Sequence, residues 1–269
     1  KGDFPNYILK VDNTENLLLF ANTGKVYKVP VYKIPLATKG SSGMDIRTLV
    51  KGLTSDICSV MYEPDLVKIS KIKRKHYMVV TSAGNSIKKL DIEDFLTVPP
   101  SGIIYSKLAN GDVVADVSIV ADGMDVVIYS GHKALRVNIK DIPHYKRNSV
   151  GVTAMNTKDK IEGINAIYDD VTHIVVVTRS GKINKIDVAG LSRGKRAQAG
   201  NNVIKLGRSD SIIGIYGVND HNQIRIITTA NTYNIRVADI STGSSMAAGT
   251  KIPGVKGSEV VIKAKLYLQ

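Results

Sequence analysis

The sequence of 269 residues has few of the groups that build disulfide, metal or redox centres. It contains one cysteine, and its five histidines are scattered without the spacing of a zinc site. Cys58 follows Ile57 and lies near Val60, so we interpret it as a small buried hydrophobic residue, with a reactive thiol as the alternative. An intramolecular disulfide is excluded, and we expect no metal site and no cofactor in this domain.

Long apolar runs and long helical patterns are also missing. No run of 18 apolar residues is present, which argues against a membrane-spanning helix, and the sequence shows no secretory signal pattern. No stretch of 12 or more residues keeps the period of 3.6 that an amphipathic helix requires. These absences exclude helical bundles and Rossmann folds, and we expect a cytoplasmic protein with no membrane partner.

Sequence motifs of enzymes are absent as well. The chain has no P-loop, no GxGxxG after a strand, no HExxH and no GxSxG. Acidic residues cluster at Asp91, Glu93 and Asp94 and again at Asp169 and Asp170, but neighbouring acids at strand ends are usually turn formers or solvated charges. We therefore expect no catalytic site in this chain, and a metal-dependent nuclease site is disfavoured.

What the sequence does contain is a fivefold repeat. Each copy has a short apolar run, a Gly or Asn turn, and a second run that closes on a basic residue followed by an aliphatic one. In the first copy these parts are 17–20, 23–25 and 26–29. Equivalent residues of successive copies are separated by 61, 47, 49 and 49 residues: Ile34, Phe95, Ile142, Leu191 and Ile240. A spacing this regular indicates an array of like modules.

The residues of each module predict strands. The runs are rich in Val, Ile and Tyr and are too short for helices, and residues that tolerate positive φ, such as Gly24 and Asn231, lie between paired runs. A later segment of each copy, such as 57–60, supplies a further strand. Four short strands per period are typical of a propeller blade. We therefore predict an all-β, propeller-like fold of about five four-stranded blades.

We predict a single domain over residues 1–269, because repeat arrays of this length commonly form one unit. The predicted blades are 7–65, 66–121, 122–170, 171–219 and 220–269.

Charge is the second informative feature. The chain has 37 Lys and Arg against 24 Asp and Glu, which gives a net charge of +13 and a pI near 9.6. The basic residues are spread through all five modules, and a basic surface of that kind favours a long polyanion such as duplex DNA. The alternative is that the lysines are solvated and block edge-to-edge aggregation of strands.

The best candidates for DNA contact are the loops that follow the position of Ile34 in each copy, which are rich in Gly, Ser and basic residues. Glycines bring main-chain N–H groups to phosphates, and Lys and Arg displace counterions. The loop 192–200 is the most basic, and the loop 97–102 is nearly uncharged. The candidate DNA contacts are Lys39, Arg47, Lys107, Lys146, Arg147, Arg179, Lys182, Arg193, Lys195, Arg196, Lys205, Arg208, Lys251 and Lys256.

Two other groups of basic residues are open to both interpretations. The run 71–76 is either a solvated connection or a DNA contact. The basic residue that closes the second run has either a structural role along the blade surface or a role in DNA contact. These recurring residues are Lys28, Lys89, Arg136, Lys185 and Arg236.

The segments 24–29 and 31–43 resemble a blade of the C-terminal domain of the A subunits of bacterial type IIA topoisomerases, DNA gyrase and topoisomerase IV. Weaker forms of the pattern recur in the other four copies. The resemblance implies a β-pinwheel, a disc of propeller-like blades that binds double-stranded DNA around its rim and bends it. It also implies a nucleoid-associated parent enzyme that uses ATP and Mg²⁺, with the cleavage chemistry in other domains. The implied partners are the rest of the A subunit, together with an ATPase B subunit.

The chain departs from the gyrase pattern in two respects. It lacks the box Gln-Arg-Arg-Gly-Gly-Arg-Gly that the gyrase branch uses to wrap DNA, and the nearest segments, 39–43 and 193–200, are degenerate. It has five recognisable blades where gyrase domains commonly have six. Binding with moderate bending is therefore expected, and whether the domain also wraps DNA fully stays open. Two alternatives stay open, a propeller that binds a protein partner and a propeller with an enzymatic site in a central channel, although neither explains the charge.

Overall fold

A computed structural model describes residues 7–38 and 40–267. Within these ranges the chain is built almost entirely of short strands, with one α-helix, α1 (Glu63–Ser70). Short 3-10 helices lie at Val31–Lys33, Ile46–Thr48, Ile92–Phe95, Ile139–Asp141, Val188–Gly190 and Val237–Asp239. The strands are β1 (Asn16–Ala21), β2 (Lys25–Pro30), β3 (Ile57–Tyr62), β4 (His76–Ser82), β5 (Ser86–Asp91), β6 (Ile103–Ile104), β7 (Val114–Ala121), β8 (Asp125–Ser130), β9 (Lys133–Asn138), β10 (Val152–Thr153), β11 (Gly163–Ile167), β12 (His173–Thr178), β13 (Lys182–Asp187), β14 (Arg193–Gly194), β15 (Asn201–Asn202), β16 (Ile212–Val218), β17 (Gln223–Thr228), β18 (Thr232–Arg236), β19 (Thr250–Lys251) and β20 (Val261–Tyr267).

The strands form five small sheets, which confirms the predicted all-β, blade-based fold. Their orders are β3-β1-β2-β6, β10-β5-β4-β7, β11-β8-β9-β14 with β15 also paired to β9, β16-β12-β13-β19, and β18-β17-β20. Each sheet is centred on one antiparallel hairpin of the repeat. In the described residues three of the sheets have the expected four strands, whereas the third sheet has five and the fifth has three.

The chain divides into two compact units. The N-terminal unit contains Pro5–Asp122 and Pro143–Val152, and the C-terminal unit consists mainly of Gly123–Ile142 and Thr153–Gln269. The core of the N-terminal unit packs Phe20 against Phe95 and Tyr105, with ring centroids 5.7 and 5.2 Å apart. The C-terminal unit has two cores of Val and Ile from alternate strand positions, around Val176 and Ile226. Alternate residues of β12 belong to the two different cores, so both faces of this strand are buried.

The turn glycines are required by geometry. Gly24, between β1 and β2, has a φ of +82°, and a Cβ placed there would lie 2.0 Å from the carbonyl oxygen of Ser106. A residue with a side chain would both enter the left-handed region and collide with the neighbouring main chain. This glycine therefore fixes both the hairpin turn and the segment that packs on it.

Several outer strands pair with a hairpin that lies earlier in the chain than the hairpin they follow. Strand β6 follows the hairpin β4-β5 but pairs with β2, and β19 follows β17-β18 but pairs with β13. Strands β14 and β15 follow β12-β13 and both pair with β9. The predicted DNA-contact loops that follow the second and later hairpins are consequently held against the outer edge of the preceding sheet of the same unit.

Candidate nucleic-acid interface

The recurring basic residue that closes each second run has a partner within the protein. Lys28 pairs with Glu63 at 2.7 Å, Arg136 with Asp125 at 2.7 Å, and Lys185 with Asp220 at 3.2 Å. Arg236 pairs with Asp239 at 2.8 Å, and the ammonium of Lys89 lies 4.8 Å from the centre of the Tyr77 ring. These contacts favour the structural interpretation of the repeated position over a role in DNA contact.

Asp125 joins three side chains of the C-terminal unit. Its side chain is 3% exposed and accepts hydrogen bonds from Arg136 Nε at 2.7 Å, Asn138 Nδ2 at 2.8 Å and Arg193 Nη2 at 2.8 Å. Burial acts to raise the pKa of Asp125, but the hydrogen bonds from Asn138, Arg193 and Arg136 outweigh it and lower that pKa. The predicted contact residue Arg193 is thus bound to a buried carboxylate that holds β14 against β9.

The rest of the most basic loop is also tied to the protein at several points. Arg196 Nη1 donates to the Thr153 carbonyl at 2.5 Å, and the main-chain N–H of Lys195 donates to Gln198 Oε1 at 3.0 Å. Ala197 has a φ of +65°, and its N–H donates to the Ala154 carbonyl at 2.9 Å. The loop is therefore preorganised, and it presents the Lys195 side chain to solvent.

The outer edge of the fourth sheet brings basic residues together. Lys182 on β13 and Lys251 on β19 are direct cross-strand partners. The next basic residue, Lys205, is held to the loop that precedes β19, because its N–H donates a hydrogen bond to the Ala247 carbonyl at 2.9 Å. Like charges placed opposite each other destabilise a sheet unless an anion lies between them. This edge is therefore a favourable place for a phosphate group.

The candidate residues of the N-terminal unit are less uniform. Arg47 forms a two-pronged contact with Asp45, including an Nη2–Oδ2 distance of 2.7 Å. Arg147 donates from Nη1 to the Ile104 carbonyl at 3.2 Å. Lys107 and Lys146 are exposed. Lys39 lies outside the described residues.

The candidate residues fall into two groups, those whose side chain already makes a hydrogen bond or ion pair with the protein and those whose side chain makes none. The first group consists of Arg47, Arg147, Arg193 and Arg196. In the ranges 7–38 and 40–267 the remaining predicted side chains make no hydrogen bond or ion pair with the protein: Lys107, Lys146, Arg179, Lys182, Lys195, Lys205, Arg208, Lys251 and Lys256. Most of these unpartnered cations belong to the C-terminal unit, where the segment 171–208 carries eight basic residues and one acidic residue.

Sequence reasoning missed two lysines that share the strand position of Lys182. Lys25 begins β2 and Lys133 begins β9, as Lys182 begins β13. Lys25 is exposed and Lys133 is half-buried. The sequence does contain a signal for this position, because each of these lysines follows a turn glycine by one or two residues. Superposing the five repeats at their turns reveals it.

Other charged features have local explanations. In the run 71–76, Lys75 pairs with Asp91 at 2.7 Å and Arg74 Nε donates to the Asp122 carbonyl at 2.8 Å. Cys58 Sγ donates to the Phe20 carbonyl at 3.2 Å, and burial raises the pKa of the Cys58 thiol to about 11, which favours the interpretation as an inert buried residue. Among the residues that the structure describes, no three His, Cys, Asp or Glu side chains are grouped to hold a metal ion. No helix in those ranges has both the length and the apolar character needed to cross a bilayer.

Known proteins are similar to this chain in sequence and in fold. The family model of the DNA gyrase C-terminal domain, beta-propeller, matches residues 15–49, 76–121, 133–168 and 172–219, together more than half of the chain. The A subunit of DNA gyrase from Borrelia hermsii is 24% identical over 271 residues, covering 98% of this chain and 32% of that protein. The A subunit of DNA gyrase from Escherichia coli is 25% identical over 244 residues, covering 89% of this chain and 27% of that protein. This chain therefore spans about a third or less of these relatives.

Two solved structures extend the agreement to the fold. The C-terminal domain of DNA topoisomerase IV superposes with a TM-score of 0.77 at 22% identity, over 94% of this chain and 79% of that one. The DNA gyrase A C-terminal domain superposes with a TM-score of 0.76 at 19% identity, over 96% of this chain and 84% of that one. The fivefold repeat, the blade-like sheets and the matched family residues agree, and the chain belongs to the family of DNA gyrase C-terminal β-propeller domains.

Proposed function

We propose that this chain is a non-catalytic domain that binds and bends double-stranded DNA, and that it forms the C-terminal part of a type IIA topoisomerase A subunit. In that role it presents a DNA segment for the ATP-dependent strand passage carried out elsewhere in the enzyme. The observation that supports the proposal most strongly is the set of unpartnered cations in the C-terminal unit, especially the opposed Lys182 and Lys251. A cation without an acidic partner is free to replace the counterions of a phosphate.

Bending requires several of these contacts at once. Smoothly bending a site of 20–30 bp by 40–90° costs on the order of 1–6 kcal/mol, which a single loop does not offset. Contacts from the loops around Lys195, Lys205, Lys251 and Lys256 supply the energy together. Affinity that depends on 6–10 phosphate contacts falls roughly 10³–10⁵-fold between 50 and 200 mM salt.

Little sequence preference is expected. The described residues include one α-helix, α1, of eight residues, and its exposed positions include the ion pair of Lys68 with Asp65. Recognition of base edges in the major groove usually uses a helix or a β-ribbon inserted into it. Unpartnered lysines on loops contact phosphates, which carry no direct sequence information.

The parent enzyme supplies the remaining partners in this proposal. The relatives are DNA gyrase A subunits, so the protein partners that we assign are the remainder of such a subunit, together with its ATPase B subunit. ATP and Mg²⁺ would then be used by the parent enzyme and not by this domain. A nucleoid-associated, cytoplasmic location follows from the same proposal.

A matched pair of triple variants tests the proposal. Lys182→Ala, Lys205→Ala and Lys251→Ala together remove three unpartnered cations, and Lys10→Ala, Lys51→Ala and Lys140→Ala remove the same charge from exposed positions outside the candidate set. Duplex binding is measured by fluorescence anisotropy at several salt concentrations. Loss of three phosphate contacts makes the negative slope of log K against log salt less steep by about 2.7. The proposal predicts this change for the first set alone, and an equal effect of the two sets would contradict it.

A protein-binding propeller is the second candidate function, and one observation favours it. Tyr32, Leu36 and Met44 are exposed in a segment of the N-terminal unit that forms no strand in its described part. Exposed apolar side chains close together along the chain are common at protein interfaces. If this function were the main one, the two triple variants would bind DNA alike.

A further inference from the structure

A lysine is buried beneath one of the candidate DNA-binding loops. Lys88 on β5 is 1% exposed, and its Nζ donates to the carbonyls of Arg147 at 2.8 Å and Ser149 at 2.7 Å. Lysine is almost never fully buried without partners, because its ammonium loses its hydration. Here the two main-chain carbonyls replace part of that hydration, and they belong to the loop that carries Lys146 and Arg147.

The same loop is fixed to the strand edge on both sides of this contact. The N–H of Lys89 donates to the Pro143 carbonyl at 3.0 Å, and the N–H of Tyr145 donates to the Lys89 carbonyl at 3.1 Å. At the other end Gly151 has a φ of +100°, and a Cβ there would lie 2.7 Å from the Ile87 carbonyl oxygen. The loop 143–151 therefore follows β5 closely, and the Lys88 ammonium occupies its inner side.

Few opposite charges are free to balance Lys88. On its own strand are Lys89 and Asp91, on β4 are His76 and Tyr77, and the adjoining 3-10 helix carries Glu93 and Asp94. The facing loop contributes His144, Tyr145, Lys146 and Arg147. Asp91 is already paired with Lys75 at 2.7 Å and with His144 at 2.9 Å, and Asp94 lies 3.9 Å from Arg147 Nε. The buried ammonium thus adds positive charge beneath a loop whose side chains are also basic.

We propose that Lys88 is a positioning residue that holds residues 146–149 in the conformation that receives a DNA phosphate and strengthens that site with its own charge. This inference rests on the proposed DNA-binding function. Burial lowers the pKa of Lys88 to about 8. A bound phosphate favours the charged ammonium, so DNA binding by this loop is coupled to proton uptake above pH 8.

The repeat provides a matched control. Asn184 precedes Lys185 as Lys88 precedes Lys89, and its Nδ2 donates to the carbonyls of Val203 and Ser244, both at 3.0 Å. The side chain of Asn184 makes the same kind of contact to the outer segment of its sheet without an ionisable group. Its replacement by leucine removes a positioning contact and leaves the titration of Lys88 in place.

The experiment measures duplex binding from pH 6.5 to 9.5 at constant ionic strength, for the wild-type chain and for Lys88→Met, Lys88→Arg and Asn184→Leu. Circular dichroism is recorded for each variant to verify folding. The wild-type affinity should fall about tenfold between pH 7 and 9.5, since a change of one pKa unit on binding corresponds to a factor of ten. Lys88→Met should bind more weakly at pH 7 and lose that decrease, and Lys88→Arg should keep its affinity across the range. Asn184→Leu should bind more weakly with the wild-type pH profile.

Each contrary result has a distinct meaning. A wild-type affinity that does not change with pH, or a folded Lys88→Met variant with the wild-type affinity and pH profile, overturns the role of Lys88. A pH profile that is lost in Asn184→Leu as well also overturns it, because the dependence would then not originate from Lys88. Absence of wild-type binding at every pH contradicts the DNA-binding function itself.

Discussion

Removal of the buried carboxylate of Asp125 should destabilise the C-terminal unit far more than removal of the exposed carboxylate of Asp239, which lies in the last 3-10 helix. Asp125→Asn keeps the size of the side chain but removes the negative charge that faces Arg136 and Arg193. The Arg136 side chain is 18% exposed and donates to the Val188 carbonyl at 2.7 Å, so it cannot turn freely to water. The substitution leaves a largely buried cation without its counter-charge.

The magnitude follows from the burial of the partners. Breaking a buried ion pair by removal of one partner typically costs 3–5 kcal/mol. Arg193 is 57% exposed and can be rehydrated, and the asparagine keeps one acceptor oxygen, so we expect a loss of about 2–3 kcal/mol in the free energy of unfolding. For a domain of this size each kcal/mol lowers Tm by roughly 2–4 °C.

The control is Asp239→Asn, which removes the partner of Arg236 at the equivalent repeat position. Those two side chains are 51% and 69% exposed, and exposed pairs contribute about 0–1 kcal/mol. Urea unfolding monitored by circular dichroism measures both variants against the wild type. Equal losses of stability, or a loss below about 1 kcal/mol for Asp125→Asn, would refute the reasoning.

The pH dependence of stability provides a second test of the same carboxylate. The pKa of Asp125 is lower in the folded chain than in the unfolded one, so the folded state binds fewer protons and Asp125 adds stability above its unfolded pKa. That contribution disappears as pH falls through the folded pKa. The stability difference between wild type and Asp125→Asn should therefore shrink below about pH 4.

Three further substitutions test the fold. Gly24→Ala should cost more than about 2 kcal/mol, because it combines a positive φ with a main-chain clash, while Gly190→Ala, with no atom within 4 Å of its new Cβ, should be nearly neutral by thermal unfolding. Lys88→Met should remove the rise in stability that the wild type shows between about pH 8 and 10.4, where the unfolded chain binds more protons than the folded one. Tyr105→Phe should cost about 1 kcal/mol in urea unfolding, since the hydroxyl donates to the Ala21 carbonyl at 2.9 Å.

The hairpins of this protein were predictable because their signals are local. Runs such as Val126–Tyr129 and Ile174–Val177 lie within the strands β8 and β12, and a turn glycine follows each of these runs within a few residues. The apolar run and the turn residue lie within a few residues of each other, and the same pattern recurs in the five copies of the repeat. The sequence pattern therefore determines which segments pair as hairpins.

The strand exchange was not predictable by the same means. Strands β6, β14, β15 and β19 have two residues each, and such short elements carry no periodicity. Their pairing joins positions far apart in the chain, as for Lys182 with Lys251. The lysine cluster at the edge of the fourth sheet arises from this exchange and is invisible without it.

The same reason explains the arginines of the most basic loop. Arg193 meets Asp125, which lies 68 residues earlier, because β14 pairs with β9. Sequence composition identifies the loop 192–200 as basic but does not show which of its charges are already neutralised. Only the folded chain separates Arg193, which has a carboxylate partner, from Lys195, which has none within the described ranges.

The proposed function requires that this domain binds DNA through unpartnered cations and bends it. The most direct test places a fluorescent donor and acceptor at the two ends of a duplex of about 40 bp and measures energy transfer as the domain is added at 50 and 200 mM salt. We predict an increase in transfer upon binding and a large loss of affinity at the higher salt concentration. Binding without any change in transfer would contradict bending, and no binding at 50 mM salt would contradict DNA binding altogether.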